Sequence, residues 1–347
     1  MSGNYNDVVV TSRVRLARNA EGLPYPHKLN DDRALLLVRK VYEAVNKRRS
    51  DENADDAYGN EEYALYRMET LGDIDGEVLR EKHLISSDLL DNKKYGAAII
   101  NDSETVSVMV GEEDHIRAQC ILQGFNLPEA YRKINGVDDD ISKAVKFAYD
   151  PKLGYLTSCP TNIGTGMRAS AMMFLPGLSI THNLEQCVGA VARLNMTIRG
   201  VYGEGSETDG YLYQISNQKT LGVSEQDILS SVQASIGHIA DTELKARDEL
   251  YKAGETALKD RILRSFGILC HAYTLDSKEF MKLFAMVKLG AYYGLIKVSD
   301  SQKFEKLVTD AQPANILNLS GKKLGEEERD IFRAAYVAKT LKSICKR

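Results

Sequence analysis

Asp7–Ala17 reads DVVVTSRVRLA, three valines running into a stretch where arginine recurs at every second position. β-Branched residues suit the pleated, half-buried surface of a sheet. Side chains along a strand alternate between its two faces, so Arg13 and Arg15 project from the same one. This strand sets the reading of the whole first half of the chain.

Working outward, further strands and helices follow. Periodicity predicts a helix near residues 31–49, and SDENADDAYGNEE (Ser50–Glu62), with its six acids, reads as an exposed loop. YALYRME is a second strand. GAAIINDSETVSVMV is a hairpin turning at Asn101–Glu104, with Val106, Val108 and Val110 alternating. GEEDHIRAQCIL would place Glu113, His115 and Arg117 on one face if it continues extended. A helix is expected over about 128–148, interrupted near Gly136, then a helix after the motif SCPTNIGTGMRAS, and another over about 184–194. MTIRGVYGEGSE is a strand entering a glycine loop, and YLYQISNQ one more strand. A long amphipathic helix begins after Ser224, a candidate N-cap, and the pattern beyond Lys252 is helical almost to the end. The expected class is α+β: an antiparallel sheet flanked by helices over residues 1–254, then a smaller all-α domain over 255–347.

Composition narrows the function. A net charge of −4 with 27% charged residues is ordinary for a globular chain and a poor footing for direct nucleic-acid binding. No apolar run reaches the roughly 18 residues of a membrane span. The N-terminus lacks the basic and apolar regions of a signal peptide, and five cysteines have no pairing or metal rhythm. The expected setting is a reducing cytoplasm. The six histidines form no metal-ligand pattern, so no protein-held metal is expected.

The chemistry gathers around SCPTNIGTGMRAS (Ser158–Ser170). Its glycines suggest a phosphate loop, yet it has neither the Gly-Lys-Ser/Thr of a P-loop nor a G-x-G-x-x-G. Arginine recurs in similar places: Arg13, Arg15, Arg117, Arg168 and Arg199, each on or beside a strand end or glycine turn. Taken singly they read as surface ion pairs. Converging in one cleft they would repel unless an anion sat among them, and guanidinium forks match the oxygens of a triphosphate. Glu113 and Glu204 read alone as turn carboxylates. Together they could grip a guanidinium and take its proton as it becomes a nucleophile.

Four blocks in order, SRVRLARN, EEDHIR, SCPTNIGTGMRAS and RGVYGEGSE, resemble the signature blocks of the phosphagen (guanidino) kinases. These enzymes move the γ-phosphoryl of ATP onto a guanidinium nitrogen. The resemblance implies a nucleotide site of Thr11, Ser12, Arg13, Val14, Arg15 and Arg117, with Arg168, Ala169, Ser170, Ala171 and Met172. It adds Arg199, Gly200, Val201, Tyr202, Gly203 and Glu204, and places the glycine turn toward the phosphates. Glu113 and Glu204 resemble the paired substrate carboxylates. Cys159 would lie beside the guanidinium, with a thiol pKa lowered by the arginines, or would simply pack the turn before Pro160. His83 resembles a histidine on the adenine side, although by itself it reads as structural. Mg²⁺ is implied with ATP.

The sequence departs from the metabolic members of that family. Its first block starts at Ser12, without the helical domain that closes over a small substrate, so an open guanidinium site is expected, able to admit an arginine still part of a protein. The chain also runs on past the long helix to RDIFRA, where Arg329 and Arg333 share a helix face. Spacing alone reads this as a solvated helix. Both departures resemble the bacterial branch of the family that phosphorylates arginine in proteins. That branch implies an allosteric phosphoarginine site of Arg329, Asp330, Ile331, Phe332, Arg333 and Ala334. It also implies homo-oligomers, an activator protein, a heat-shock repressor and unfolded proteins as substrates, and hand-over to a Clp protease. A kinase of free arginine or another small guanidine, and a catalytically weak phosphoarginine-binding adaptor, remain the alternatives.

Overall fold

The computed structural model describes residues 5–47, 61–201 and 210–346. The acidic stretch from Ser50 lies outside them as far as Asn60, as does Glu204. In chain order the elements are β1 (Val9–Arg18), α1 (Asp31–Lys47), β2 (Tyr63–Arg67), α2 (Asp73–Glu81), α3 (Ser87–Asp91), β3 (Ala97–Asn101), β4 (Val106–Val110), β5 (Ile116–Gln123) and α4 (Leu127–Ala144). Then come β6 (Tyr149–Asp150), β7 (Gly154–Tyr155), β8 (Met167–Phe174), α5 (Pro176–Ile180), α6 (Leu184–Ala192), β9 (Met196–Gly200) and β10 (Leu212–Asn217). The helices α7 (Glu225–His271), α8 (Ser277–Tyr292), α9 (Ser301–Asp310), α10 (Pro313–Ser320) and α11 (Glu326–Ile344) follow, with the short pair β11 (Lys297–Val298) and β12 (Cys345–Lys346).

Among the described residues, eight strands form one sheet in the order β2-β3-β4-β5-β1-β8-β10-β9, every neighbouring pair antiparallel. The β1 valines and leucine explain the arrangement. Val14 and Leu16 point to a fully buried face and join Ala118 and Cys120 of β5, Ala169 and Ala171 of β8, and Ile215 of β10. α1, α4 and the first half of α7 cover that face through Val41, Ile134, Val232 and Ile236. The expected N-cap holds: Ser224 Oγ accepts from Asp227 N at 3.1 Å, and Asp227 Oδ2 accepts from Ser224 N at 3.0 Å. The hairpin turns where expected, with Glu104 N donating to Asn101 O at 2.9 Å.

Two expectations fail locally. The helix placed after SCPTNIGTGMRAS is a strand as far as Phe174, and only the five residues of α5 are helical. Ala-Met-Met is helix-prone by propensity, but β8 lies between β1 and β10 and pairs with both; that tertiary demand outweighs propensity. The helix over 128–148 is not interrupted at Gly136 either. α4 runs unbroken through it, because burial of its Ala130, Ile134, Val137 and Ile141 face against the sheet holds the turn together.

The opposite face of the sheet is built in three zones. At one end α2 and α3 pack on Ala98, Ile100 and Met109, with Met68, Leu79 and Leu89. At the other, Phe174 and Leu212 join the core of the C-terminal helices with Phe280, Met281 and Phe284. The zone between them carries the arginines. α7 breaks its helical dihedrals at Gly254 (φ −158°, ψ 48°), where the chain passes from one core to the other.

Candidate functional site

Strand register brings the arginines together. Arg15 on β1 pairs directly with Arg168 on β8, and Arg13 with Ser170. On the other side Arg15 pairs with Gln119 and Ala17 with Arg117 of β5. Thr11 pairs with Met172, Met172 with Gln214 of β10, and Gln214 with Arg199 of β9. Directly paired residues of an antiparallel sheet share a face. Arg13, Arg15, Arg117, Arg168 and Arg199 therefore all project from one face, from the central strands β5, β1 and β8 out to Arg199 on the edge strand β9.

Like charges set opposite each other are destabilising, and the guanidinium groups register this. Burial, then Arg117 and Arg168, lowers the Arg13 pKa to about 10. Arg15 is held well below its ordinary value by burial and by Arg13, Arg117 and Arg168, against the pull of Glu112. Arg168 is lowered by burial, Arg199 and Arg117, while Cys159 and Glu113 oppose the shift. Glu112 Oε1 pairs with Arg117 Nη1. The Nε atoms of Arg15 and Arg168 are buried without a hydrogen-bond partner among the described residues. Partnerless donors on mutually repelling cations make a receptor for an oxyanion.

The other nucleotide-site candidates divide by strand parity. Thr11, Ser170, Met172 and Val201 line a cavity together with Arg13, and His83 lines it too. Ser12 faces away: its Oγ donates to Gly124 O at 2.8 Å and accepts from Asn126 N at 2.9 Å. Val14, Ala169 and Ala171 lie in the opposite core, and Gly200 pairs with Tyr213 of that same core. For these five only the backbone can serve the site. Tyr202, Gly203 and Glu204 lie outside the described residues.

The segment expected to carry Glu113, His115 and Arg117 on one face is not extended. Gly111 turns the chain with φ +82°, and β5 begins only at Ile116. His115 is buried in the fold: its Nδ1 accepts from Ala20 N at 3.0 Å, and its Nε2 lies 2.9 Å from Pro24 O. Glu113 is exposed in the turn. Asp114, which sequence reasoning passed over, ties that turn to the cysteine loop. Its Oδ1 accepts from Asn19 Nδ2 at 2.7 Å and from Ser158 N at 2.5 Å. Cys159, half-buried, sets its Sγ 3.0 Å from Thr161 Oγ1 as Pro160 starts a single 3₁₀ turn.

The glycines of this motif serve packing rather than an open cradle. A Cβ on Gly164 would lie 2.2 Å from Thr220 O, and one on Gly166 2.6 Å from Ala17 O. Both take left-handed φ values, +113° and +61°, which glycine adopts without strain. Gly166 O accepts from Ala17 N at 2.9 Å, fixing the start of β8 beside β1 and so aiming Arg168. Asn217 continues the job, its Oδ1 accepting from Ala169 N at 2.8 Å. Nothing in the spacing marked Asn217 or Glu112, although Glu112 stood beside a residue already singled out.

The cavity, about 670 Å³, opens beside Arg13. His83, with φ +62°, lines it, its imidazole pKa lowered to about 4 by burial, Arg13 and Arg80. In the C-terminal block, Arg333 is fully buried, donating to Ala311 O and Leu275 O at 2.8 Å each and pairing with Asp330. The reading as a solvated helix fails for Arg333, because α11 packs this face into the C-terminal core through Ala334 and Val337. Arg329 is half-buried, with an Nε that has no partner among the described residues. Ile331 and Phe332 are half-buried.

Comparison with known proteins places this geometry. The family model ATP:guanido phosphotransferase, C-terminal catalytic domain, matches residues 44–246, and Protein-arginine kinase McsB C-terminal domain matches 255–347. A protein-arginine kinase of Caldanaerobacter subterraneus subsp. tengcongensis is 44% identical over 335 residues, 96% of this chain and 97% of that one. One of Clostridium acetobutylicum is 42% identical over 340 residues, 97% of each chain. Among solved structures, a lombricine kinase superposes with a TM-score of 0.57 at 23% identity, covering 69% of this chain and 67% of that one. The duplicated taurocyamine kinase from Schistosoma mansoni with bound transition state analog components gives 0.61 at 22%, covering 92% of this chain and 48% of that one. These two likenesses concern the fold. With a catalytic-domain match over more than half its length and near-full-length relatives above 40% identity, the chain belongs to the ATP:guanido phosphotransferase family, among its protein-arginine kinases.

Proposed function

We propose that this protein transfers the γ-phosphoryl of ATP to the guanidinium of arginine side chains in proteins. The observation that carries the reading is the direct pairing of Arg15 with Arg168, each with a buried Nε lacking a partner among the described residues, inside a field of five arginines. Such a field clamps the triphosphate and offsets the charge that spreads over the transferred group. Mg²⁺ comes with the nucleotide, as Mg·ATP. The described residues hold no group of three or more His, Cys, Asp or Glu suited to a metal ion.

Glu113 and Glu204 hold the acceptor guanidinium. As an Nη lone pair bonds to the γ-phosphorus, the bond from that phosphorus to the β-γ bridging oxygen breaks and ADP leaves. The proton lost from the nitrogen passes to a carboxylate. A guanidinium with a pKa above 12 is a reluctant nucleophile, so alignment supplies much of the rate. Cys159 sits on the loop that Asp114 fastens to the Glu113 turn, which fits a place beside the acceptor.

Residues 1–254 act as the catalytic domain and 255–347 as a helical regulatory domain, the division falling at the break in α7. Within the latter, Arg329 rather than Arg333 is the residue free to meet a phosphoarginine, Arg333 and Asp330 being engaged with each other and Ala334 buried. A cytoplasmic setting, homo-oligomers, an activator protein, a heat-shock repressor as substrate and delivery to a Clp protease belong to the same reading. No helix of the described residues is long and apolar enough to cross a membrane.

The test is a paired assay with Mg²⁺ and ATP, one arm holding an unfolded arginine-rich protein and the other free arginine. Phosphoarginine is located by mass spectrometry at mild pH. Label on protein supports the reading. Label confined to free arginine makes this a small-guanidine kinase, and label on neither favours the adaptor.

A further inference from the structure

We infer that the C-terminal helices form the outer wall of the nucleotide-base site, so that adenine is held between the sheet and the C-terminal domain. This rests on the reading of the arginine field as the phosphate site. The cavity begins on the sheet with Arg13 and Ser170, the residues that border Arg15 and Arg168. From there it runs over Met172 and Leu212 and ends against Met281, Phe284 and Lys288 of α8 and Glu305 and Thr309 of α9. A ligand clamped by its phosphates in the arginine field has this cavity to receive its other end. On the sheet and α8 the lining is apolar, through Met172, Phe174, Leu212, Met281 and Phe284, while α9 brings polar and charged groups, Glu305, Thr309 and Asp310 among them; an apolar slot edged by hydrogen-bonding groups suits a flat aromatic base.

The wall is fastened on both sides of the cavity. Glu81, two residues before His83, accepts from Ala314 N at 2.9 Å, Asn315 N at 3.0 Å and Asn315 Nδ2 at 2.8 Å. That ties the His83 segment to α10, the helix next after α9. Lys288 pairs with Glu305, joining α8 to α9 at the rim, and its Nζ lies 5.4 Å from the centre of the Phe174 ring at the end of β8. C-terminal residues thus touch the nucleotide directly, and base occupancy is linked to how those helices seat on the sheet.

The experiment uses the full chain, calorimetric binding and two probes: Mg·ATP, and Mg·tripolyphosphate, which has the phosphates without the base. Thr309→Trp places a large ring in the cavity from a half-buried position. It is expected to weaken ATP at least about tenfold while leaving tripolyphosphate within about twofold. Arg168→Ala is expected to weaken both. Unchanged ATP affinity in Thr309→Trp overturns the wall, as does equal weakening of the two probes. A wild type that binds ATP no better than tripolyphosphate overturns it too. If Arg168→Ala alters neither probe, the phosphate reading itself fails, a result separable from the others. Should Thr309→Trp melt early, Glu305→Trp places the ring from a second rim position and is read the same way.

Discussion

The two faces of the central sheet use the same strands for opposite ends. Along β1, Val14 and Leu16 enter a core fully closed by helices, while Arg13 and Arg15, one residue away, enter a zone of mutual repulsion. Alternation of the pleat makes this possible. One face stabilises the fold, and the other gives up stability to hold an anion site ready. The lesson is that a rigid apolar face lets a strained charged face exist, because repulsion among the arginines cannot spread the strands.

The largest expected effect falls on chemistry. Arg168→Ala should lower kcat/KM for phosphoryl transfer by about 10³-fold or more. Glu113→Gln should abolish transfer while leaving the melting curve in place; measurable turnover in that variant would remove the proposed role of the carboxylate.

Stability sharpens the contrast between faces. Leu16→Ala should destabilise the protein by about 2–5 kcal/mol in denaturant unfolding, the range for emptying a buried leucine site. Arg15→Ala, the neighbouring residue on the other face, should leave stability unchanged or raise it in the absence of nucleotide. If the two substitutions destabilise alike, the arginine face is not under strain.

Ligand binding should erase part of that difference. Mg·ATP at about 100 times its Kd stabilises the wild type by about 2.7 kcal/mol, and Arg15→Ala should gain much less at the same concentration. Thermal shift with and without nucleotide reads this directly.

The smallest effect concerns His83. Its folded pKa is about 4 against roughly 6.5 for an unperturbed histidine. As pH falls below 6.5, the unfolded chain takes up a proton that the folded chain refuses, so stability drops progressively toward pH 4. Between pH 7 and 5 the melting midpoint should fall roughly 2–3 °C further in the wild type than in His83→Gln. Parallel curves would mean the imidazole is not held neutral.

Much of this was legible beforehand because it rests on period and chemistry. The alternation at Arg13 and Arg15, the Asn101–Glu104 hairpin and the Ser224 cap each depend on residues close in sequence. What escaped depends on distant partners. Ala171–Phe174 became a strand because β1 and β10 flank it, and Gly136 stayed helical because the sheet lies beneath it. His115 turned inward because Asn19, Ala20 and Pro24 offered it hydrogen bonds across a long loop of chain. Register also decided which candidates face the site, and spacing within one strand cannot tell Ser12's role from Arg13's until the covered face is known.

The helix α7 gives the molecule a mechanical character. Its first half is embedded beneath β8 and β10 through Val232, Ile236 and Ile239, and its second half anchors the C-terminal core through Leu258, Ile262 and Leu269. From that core α8 returns over the opposite side of the same strands, onto Phe174 and Leu212. The two halves of α7 and the helix α8 therefore hold strands β8 and β10 like calipers, one jaw on each face, with the bend at Gly254 joining them.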